Sequence, residues 1–336
     1  VVLLRRSTRV GAGAVAVALG AALAACGGSG SPGGDGGGGG AAASGSGAHT
    51  LKTAMGSVTV SAHPHRVVVL DTDALDSAVT LGVTPVGATS VAAGAPLSTY
   101  LPKSRLAGVR SVGVIGSPDL EAIASLKPDL ILGSKARDGK SYKELSKIAP
   151  TVFTNTTGPT WRANFTVHAR ALGETARAAR VERDYTAHVR QVVHALGGPA
   201  KAKATKVGFV RFVEGADIRL YLNDTFVGSI FHDLGLGRPA DQDKNGFSLD
   251  VSPERIDKAD ADLLFYSTYG DPKKAGETAV VAGPLWHGLT AVRAGRAFRV
   301  DDNLWMLGIG YTGAGRILSQ IESDWSKAAA APAGTG

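Results

Sequence analysis

The chain has 336 residues, 36 of them Lys or Arg against 29 Asp or Glu, for a formal charge of +7, with a single cysteine. The positive charges are scattered, without runs or interleaved aromatics, which excludes a nucleic-acid binder. A lone cysteine excludes an intrachain disulfide or a thiolate zinc site.

Arg5, Arg6 and Arg9 cluster at the start; discounting these three leaves 33 basic against 29 acidic residues, or +4. Val10 to Ala22 is small and apolar throughout. That run is too short to cross about 30 Å of hydrocarbon as a helix, so residues 1–25 read as a signal peptide. It ends in Leu23-Ala24-Ala25-Cys26, which resembles the lipobox of bacterial lipoproteins. The resemblance implies lipidation of Cys26 and residence on the extracytoplasmic face of the cell membrane, held there by a lipid anchor. A buried or reactive free thiol is the alternative for Cys26. Residues 26–50 read as a flexible linker. Within them Gly27 to Ala48 is Gly, Ser and Ala with one Pro and one Asp, too little apolar surface to order itself. Such a chain reaches about 25 Å end to end.

Arg66 to Asp71 predicts a buried strand, Asp73 to Leu81 a helix stopped by Gly82, and Val83 to Gly87 a second strand. Asp119 to Lys127 predicts a helix, Asp129 to Gly133 a strand, Lys140 to Ile148 a helix, and Thr151 to Phe153 a strand. Strands alternating with helices of this length predict a parallel sheet. Asn164 to Leu196 has helical apolar spacing and no glycine but Gly173; a continuous helix there would make a rod of about 50 Å. Gly197-Gly198-Pro199 ends it. Lys206 to Val213, Arg219 to Leu222 and the helix from Phe226 to Leu234 begin a second series. The expected fold is α/β: two parallel-sheet α/β lobes, 51–162 and 198–328, joined by a single long α-helix over 163–197, with a disordered tail at 329–336.

The halves echo one another. Glu121 is followed eight residues later by Asp129, and Glu254 at the same interval by Asp262. Ser117-Pro118 and Ser252-Pro253 precede these glutamates and predict a helix N-cap with Pro at the first helical position. The lobes thus read as diverged copies of one unit, each presenting a glutamate at an equivalent place.

From about Val58 to Trp325 the chain resembles the iron-siderophore and cobalamin class of ABC-transporter substrate-binding lipoproteins. The residues that carry this are Arg66 to Asp71, Asp119-Leu120-Glu121 through Asp129-Leu130-Ile131, Leu145 to Val152, Val251 to Ile256, Pro284-Leu285-Trp286 and Ala291 to Arg296. The resemblance implies a ligand cleft between the lobes, limited hinge motion and delivery to an ABC permease dimer. Glu121 and Glu254 match the family residues that dock on the two permease subunits, and a pseudo-two-fold pair of carboxylates suits a two-fold partner. Their alternative role is to complement a helix dipole, worth about 0.3–1 kcal/mol each.

For the ligand, Arg137 with Tyr142 ahead of Leu145-Ser146-Lys147-Ile148-Ala149-Pro150 resembles the branch that binds ferric hydroxamate or carboxylate siderophores. Arg211 and Tyr221 hold comparable places in the second lobe, with Trp161 where the first lobe meets the linker helix and Trp305 and Trp286 in loops near strand ends. Arginine gives forked hydrogen bonds to chelate oxygens, and the aromatics give flat apolar walls. The expected ligand is an iron(III)-siderophore complex, with no cofactor and no metal held by protein side chains. Haem or cobalamin is the alternative ligand, and a tethered hydrolase or adhesion module the alternative class.

Other motifs carry less. Gly308-Ile309-Gly310-Tyr311-Thr312-Gly313 spells a dinucleotide fingerprint but opens the last predicted helix rather than a first βα turn. His63-Pro64-His65 precedes the first strand without partners, and His168, His188 and His194 fall on the linker helix. No Gly-x-Ser-x-Gly elbow and no acid pair at catalytic spacing occurs, so no enzyme is expected.

Overall fold

The computed structural model describes residues 47–330. The leader, Cys26 and the end of the tail lie outside the described residues. The chain first forms a hairpin, β1 (Ala48–Thr53) and β2 (Gly56–Ser61), turned at Gly56 with φ 106°. Strand β1 therefore begins inside the span expected to be linker.

The N-terminal lobe follows as β3 (Val67–Val69), α1 (Thr72–Thr80), β4 (Gly87–Ser90), α2 (Lys103–Leu106), β5 (Arg110–Val114), β6 (Ser117–Pro118), α3 (Leu120–Ser125), β7 (Leu130–Ser134), α4 (Lys135–Asp138), α5 (Tyr142–Ile148) and β8 (Thr151–Thr154). Its sheet runs β6-β5-β4-β3-β7-β8, parallel except for the short β6. Val67, Val68 and Val69 are wholly buried, as a central parallel strand covered on both faces requires. Two boundaries differ from expectation. The second strand starts at Gly87, and Ser117-Pro118 forms β6 rather than a helix opening. Asp119 instead caps α3, its carboxylate accepting the N–H groups of Glu121 and Ala122 at 3.1 and 3.0 Å.

The expected single connecting rod is two helices, α6 (Trp161–Leu172) and α7 (Thr175–Ala195). Gly173 breaks them in the left-handed region, φ 73°. A Cβ there would fall 2.1 Å from the Ala62 carbonyl oxygen, so the entering chain requires a glycine where it crosses the connector. After α8 (Pro199–Ala204) comes the C-terminal lobe: β9 (Val207–Val213), β10 (Ile218–Tyr221), α9 (Phe226–Asp233), β11 (Ser248–Val251), β12 (Leu263–Tyr269), α10 (Glu277–Val281), α11 (Pro284–Gly288), α12 (Thr290–Arg293), β13 (Ala297–Arg299), α13 (Asp302–Leu307) and α14 (Tyr311–Ala330). Its sheet is mixed, ordered β11-β10-β9-β12-β13, with β10 antiparallel to both of its neighbours, which corrects the expectation of a purely parallel second lobe.

The echo between halves has a physical basis. Asp129 accepts the backbone N–H groups of His65 and Arg66 at 2.7 and 2.8 Å, just before β3. Asp262 accepts that of Lys206 at 2.8 Å, just before β9. Each aspartate thereby sets the parallel register of its own strand, β7 on β3 and β12 on β9.

One apolar core runs through both lobes. Its centre is Trp161, 1% exposed, with edge contacts to Tyr185 at 5.6 Å, Phe226 at 5.5 Å and Tyr311 at 4.7 Å.

Candidate functional site

A cavity of about 420 Å³ opens between the lobes. Its first wall is built where β7 and β8 end, from Ala136 and Arg137 of α4 and from Thr156 to Pro159 ahead of α6. Carboxyl ends of parallel strands are where α/β sheets place such residues. The opposite wall takes Arg211 from β9, Tyr221 from β10, Phe226 from α9, Phe247 ahead of β11 and Trp305 from α13.

Arg211 is locked. Its Nε donates to Asp302 Oδ1 at 2.7 Å, its Nη2 to Asp302 Oδ2 at 2.6 Å and its Nη1 to the Tyr221 hydroxyl at 3.2 Å. The Ser267 hydroxyl donates to the same Asp302 carboxylate at 2.8 Å, and the Tyr269 ring lies 5.2 Å from the guanidinium. Burial alone would lower the Arg211 pKa; the bonds to Asp302 and Tyr221 outweigh it and hold the group above its ordinary value. A guanidinium so placed is a fixed positive charge with two N–H groups left over.

Arg137 is held loosely. Its Nε lies 3.7 Å from Asp71 Oδ2, and its side chain is half exposed while that of Asp71 is buried. Burial first, then the charge of Asp73, push Asp71 up to about 7, against the pull of Arg137. Asp138 follows Arg137 in sequence, and burial together with Asp71 raises it to about 6.

The floor is aromatic. Trp305 is fully buried, stacked on Phe209 at 5.6 Å, with its indole N–H donated to Gln320 at 2.8 Å. Phe247 is 56% exposed and meets Tyr221 edge-on at 5.0 Å, forming an apolar lip. Two cationic side chains from opposite lobes and one acidic residue, Asp224, line the cavity over an apolar floor, a net positive set suited to an anionic ligand with an organic frame.

Arg137, Arg211, Tyr221 and Trp305, separated by up to 168 positions, line this one cavity. Trp161 does not line it. It sits in the core behind it, with its indole N–H donated to Ser229 at 2.9 Å, which corrects its expected contact with ligand. Tyr142 packs edge-on against Phe153 at 5.3 Å inside the first lobe, and Trp286 is buried against Tyr266 at 5.0 Å. Phe247 and Asp302 escape sequence reading. Asp302 is 91 positions from the arginine it holds, and Phe247 carries no sign of exposure beyond a preceding Asn-Gly turn. Glu121 and Glu254 are exposed, away from the cavity wall.

A larger hollow, about 510 Å³, lies in the crook of α6 and α7. Within it Arg162 pairs with Asp233, and the Tyr185 hydroxyl donates to Asp233 at 2.6 Å. Among the described residues, no cluster of three His, Cys, Asp or Glu side chains could hold a metal ion.

Residues 67–304 match the family described as periplasmic binding protein. The Bacillus subtilis protein named "Probable siderophore-binding lipoprotein YfiY" is 38% identical over 291 residues, covering 83% of this chain and 88% of its own. The Fe(3+)-citrate-binding protein YfmC of the same species is 31% identical over 256 residues, covering 74% and 77%. The crystal structure of Staphylococcus aureus SirA complexed with staphyloferrin B superposes with a TM-score of 0.72 at 32% identity, covering 83% of this chain and 98% of that one. These are binding proteins and not enzymes. The chain belongs to the periplasmic binding protein family.

Proposed function

We propose that this chain is the extracytoplasmic substrate-binding lipoprotein of an ABC importer, capturing a ferric siderophore of carboxylate or hydroxamate type for delivery to a permease dimer. The observation that carries the reading is the cavity itself: one arginine on each lobe, each with a carboxylate behind it, over the Trp305 floor. Its volume suits a small chelate, and the arginines suit the oxygens of a metal that arrives already wrapped. The names of YfiY, YfmC and SirA's ligand support the same class.

Iron is cargo here and stays with its chelator. Arg211, fixed by Asp302, supplies a field in place, while Arg137 is free to turn onto the arriving ligand. Cys26, on the lipobox reading, carries the anchor, and Glu121 and Glu254 face the permease. Titrating intrinsic tryptophan fluorescence with ferric citrate, ferric hydroxamates, haem and cobalamin tests the reading, because Trp305 lines the cavity. Saturable binding of a ferric siderophore is expected. Tighter binding of haem, cobalamin or uncomplexed iron would overturn it.

A further inference from the structure

The two cleft arginines have carboxylate partners of different kinds. Asp302 grips Arg211 through two bonds, both side chains being largely buried. Asp71 has only one long approach to Arg137, 3.7 Å, with the arginine 49% exposed and the aspartate 1%. Asp71 is itself immobile. It caps α1, with Oδ1 accepting the Thr72 N–H at 2.8 Å, and its Oδ2 accepts the Ser134 hydroxyl at 3.0 Å. Arg137 can therefore leave, and Asp71 cannot follow.

The surroundings of Asp71 are short of positive charge. Facing it are Asp73 of α1, Arg137 and Asp138 of α4, and the Ser134 hydroxyl at the end of β7. Asp76 lies one turn along α1, behind Asp73. Asp138 is buried, and burial and Asp71 outweigh the Gly116 backbone N–H and Arg137 that act to lower it. Three buried carboxyl groups with one loosely held cation cannot all stay ionised once that cation is drawn away.

We infer that Asp71 is a positioning residue for Arg137, that an anionic ferric chelate takes the guanidinium from it, and that the Asp71 carboxylate then takes up a proton from solvent. Capture and proton uptake are coupled. The inference rests on reading the cleft as a ferric-chelate site. Asp71 already titrates near neutrality, at about 7, with Arg137 pulling it downward. Withdrawing Arg137 raises it further, so the liganded protein holds more protons than the free one. Affinity for an anionic chelate is then greatest below neutrality and declines as pH rises through it, by up to about tenfold per pH unit.

The test measures the Kd of ferric citrate by tryptophan fluorescence from about pH 6 to about pH 8.5, in the parent and in Asp71→Asn. Asparagine keeps the shape and the α1 cap, and the chelate's own ionisation is common to both proteins. The parent should lose about tenfold more affinity than Asp71→Asn across this range, the two agreeing at the acid end. In parallel, carboxyl ¹³C NMR follows Asp71 in the ligand-free parent and in Arg137→Gln, whose changed side chain is half exposed. Asp71 should titrate near neutrality in the parent and higher in the variant. Identical pH profiles, or an Asp71 that titrates in the ordinary carboxylate range, would overturn the inference while leaving chelate binding intact. A parent that binds neither ferric citrate nor a ferric hydroxamate at any pH would instead overturn the functional reading, and the NMR titration would then judge the Asp71–Arg137 pairing alone.

Discussion

Asp76 of α1 and Gly313 of α14 lie 237 positions apart, yet the carboxylate of one accepts the backbone N–H of the other at 3.0 Å. The same carboxylate accepts the Thr312 N–H at 3.2 Å and the Thr80 and Tyr100 hydroxyls at 3.0 Å each. A helix N-terminus is an anion site, and here an internal carboxylate fills it, joining the first lobe to the last helix. Gly310, at φ 153°, is required because a Cβ would fall 2.2 Å from Asp76 Oδ1. The fingerprint-like glycines thus serve a fold contact: a Cβ at Gly313 would also fall 1.7 Å from the Gly308 carbonyl oxygen.

Asp76→Ala should therefore be costly. It strands two backbone N–H groups and the buried Tyr100 hydroxyl, while Thr80 keeps the Thr312 hydroxyl at 2.6 Å, a loss of about 3 kcal/mol. For a body of this size that is a fall in Tm of roughly 5 °C, measurable by calorimetry. An unchanged Tm would show that the seam contributes nothing.

Stability should also fall as pH rises from about 5 to about 7.5. Burial, the largest cause for each, raises Asp71 to about 7 and Asp73, Asp76 and Asp138 to about 6, all from an unfolded value near 3.8. Between those limits the folded protein holds more protons than the unfolded chain, so each acid's contribution is full below the unfolded value and lost through the folded one. His168, which burial pulls down to about 4, acts in the opposite sense, its contribution growing up to its unfolded value of 6.5. Four groups oppose one. A higher Tm at the acid end is expected, and a Tm that rises with pH across this window would refute it.

These acids show where the sequence was legible. The βα alternation, the two lobes and the Asp129/Asp262 echo follow from periodicity and spacing because strand and cap chemistry are local. The break at Gly173 was not legible, since it depends on the Ala62 carbonyl passing overhead. Nor was the burial of Asp71, Asp73 and Asp76, because helix α1 reads as half polar while all but its last residue are buried. Arg211 and Tyr221 could be placed at strand ends, but their pairing and the grip of Asp302 are products of sheet order. Trp161 misled because an aromatic at a lobe boundary serves a core as readily as a ligand.

Arg211→Ala should weaken ferric siderophore binding about a hundredfold, because it removes a fixed cation and leaves Asp302 buried and unpaired beside an anion. Tyr221→Phe, which removes only the hydroxyl that accepts from Arg211, should cost about tenfold or less. Trp161→Phe separates the roles of the two tryptophans. It should lower Tm, by losing core volume and the bond to Ser229, with little change in Kd. Fluorescence titration of the three variants decides; full affinity in Arg211→Ala would remove it from the site.

Cys26→Ala, which removes the lipid-bearing sulfur of the proposed lipobox, should release the protein from membranes or leave it incompletely processed. No helix among the described residues is long and apolar enough to cross a membrane. Retention of the variant in washed membranes would show that something other than a lipid on Cys26 holds it.

Glu121→Ala with Glu254→Ala should abolish uptake while leaving Kd unchanged. Both glutamates are exposed, and neither lines the cavity. Each lies eight residues ahead of an aspartate, Asp129 or Asp262, that fixes the start of a central strand. Their local frames differ: Glu121 rides the first turn of α3, whereas Glu254 sits in a 3₁₀ turn, where the Ser252 hydroxyl holds its pKa below the ordinary value. A merely dipolar role would cost a little stability in each single variant and leave transport intact. Docking predicts the reverse, with Tm preserved and transport lost, because rim charges govern orientation and association. Siderophore uptake by cells carrying the double variant, beside the Kd of the purified protein, separates the two. Uptake equal to the parent's would end the docking assignment.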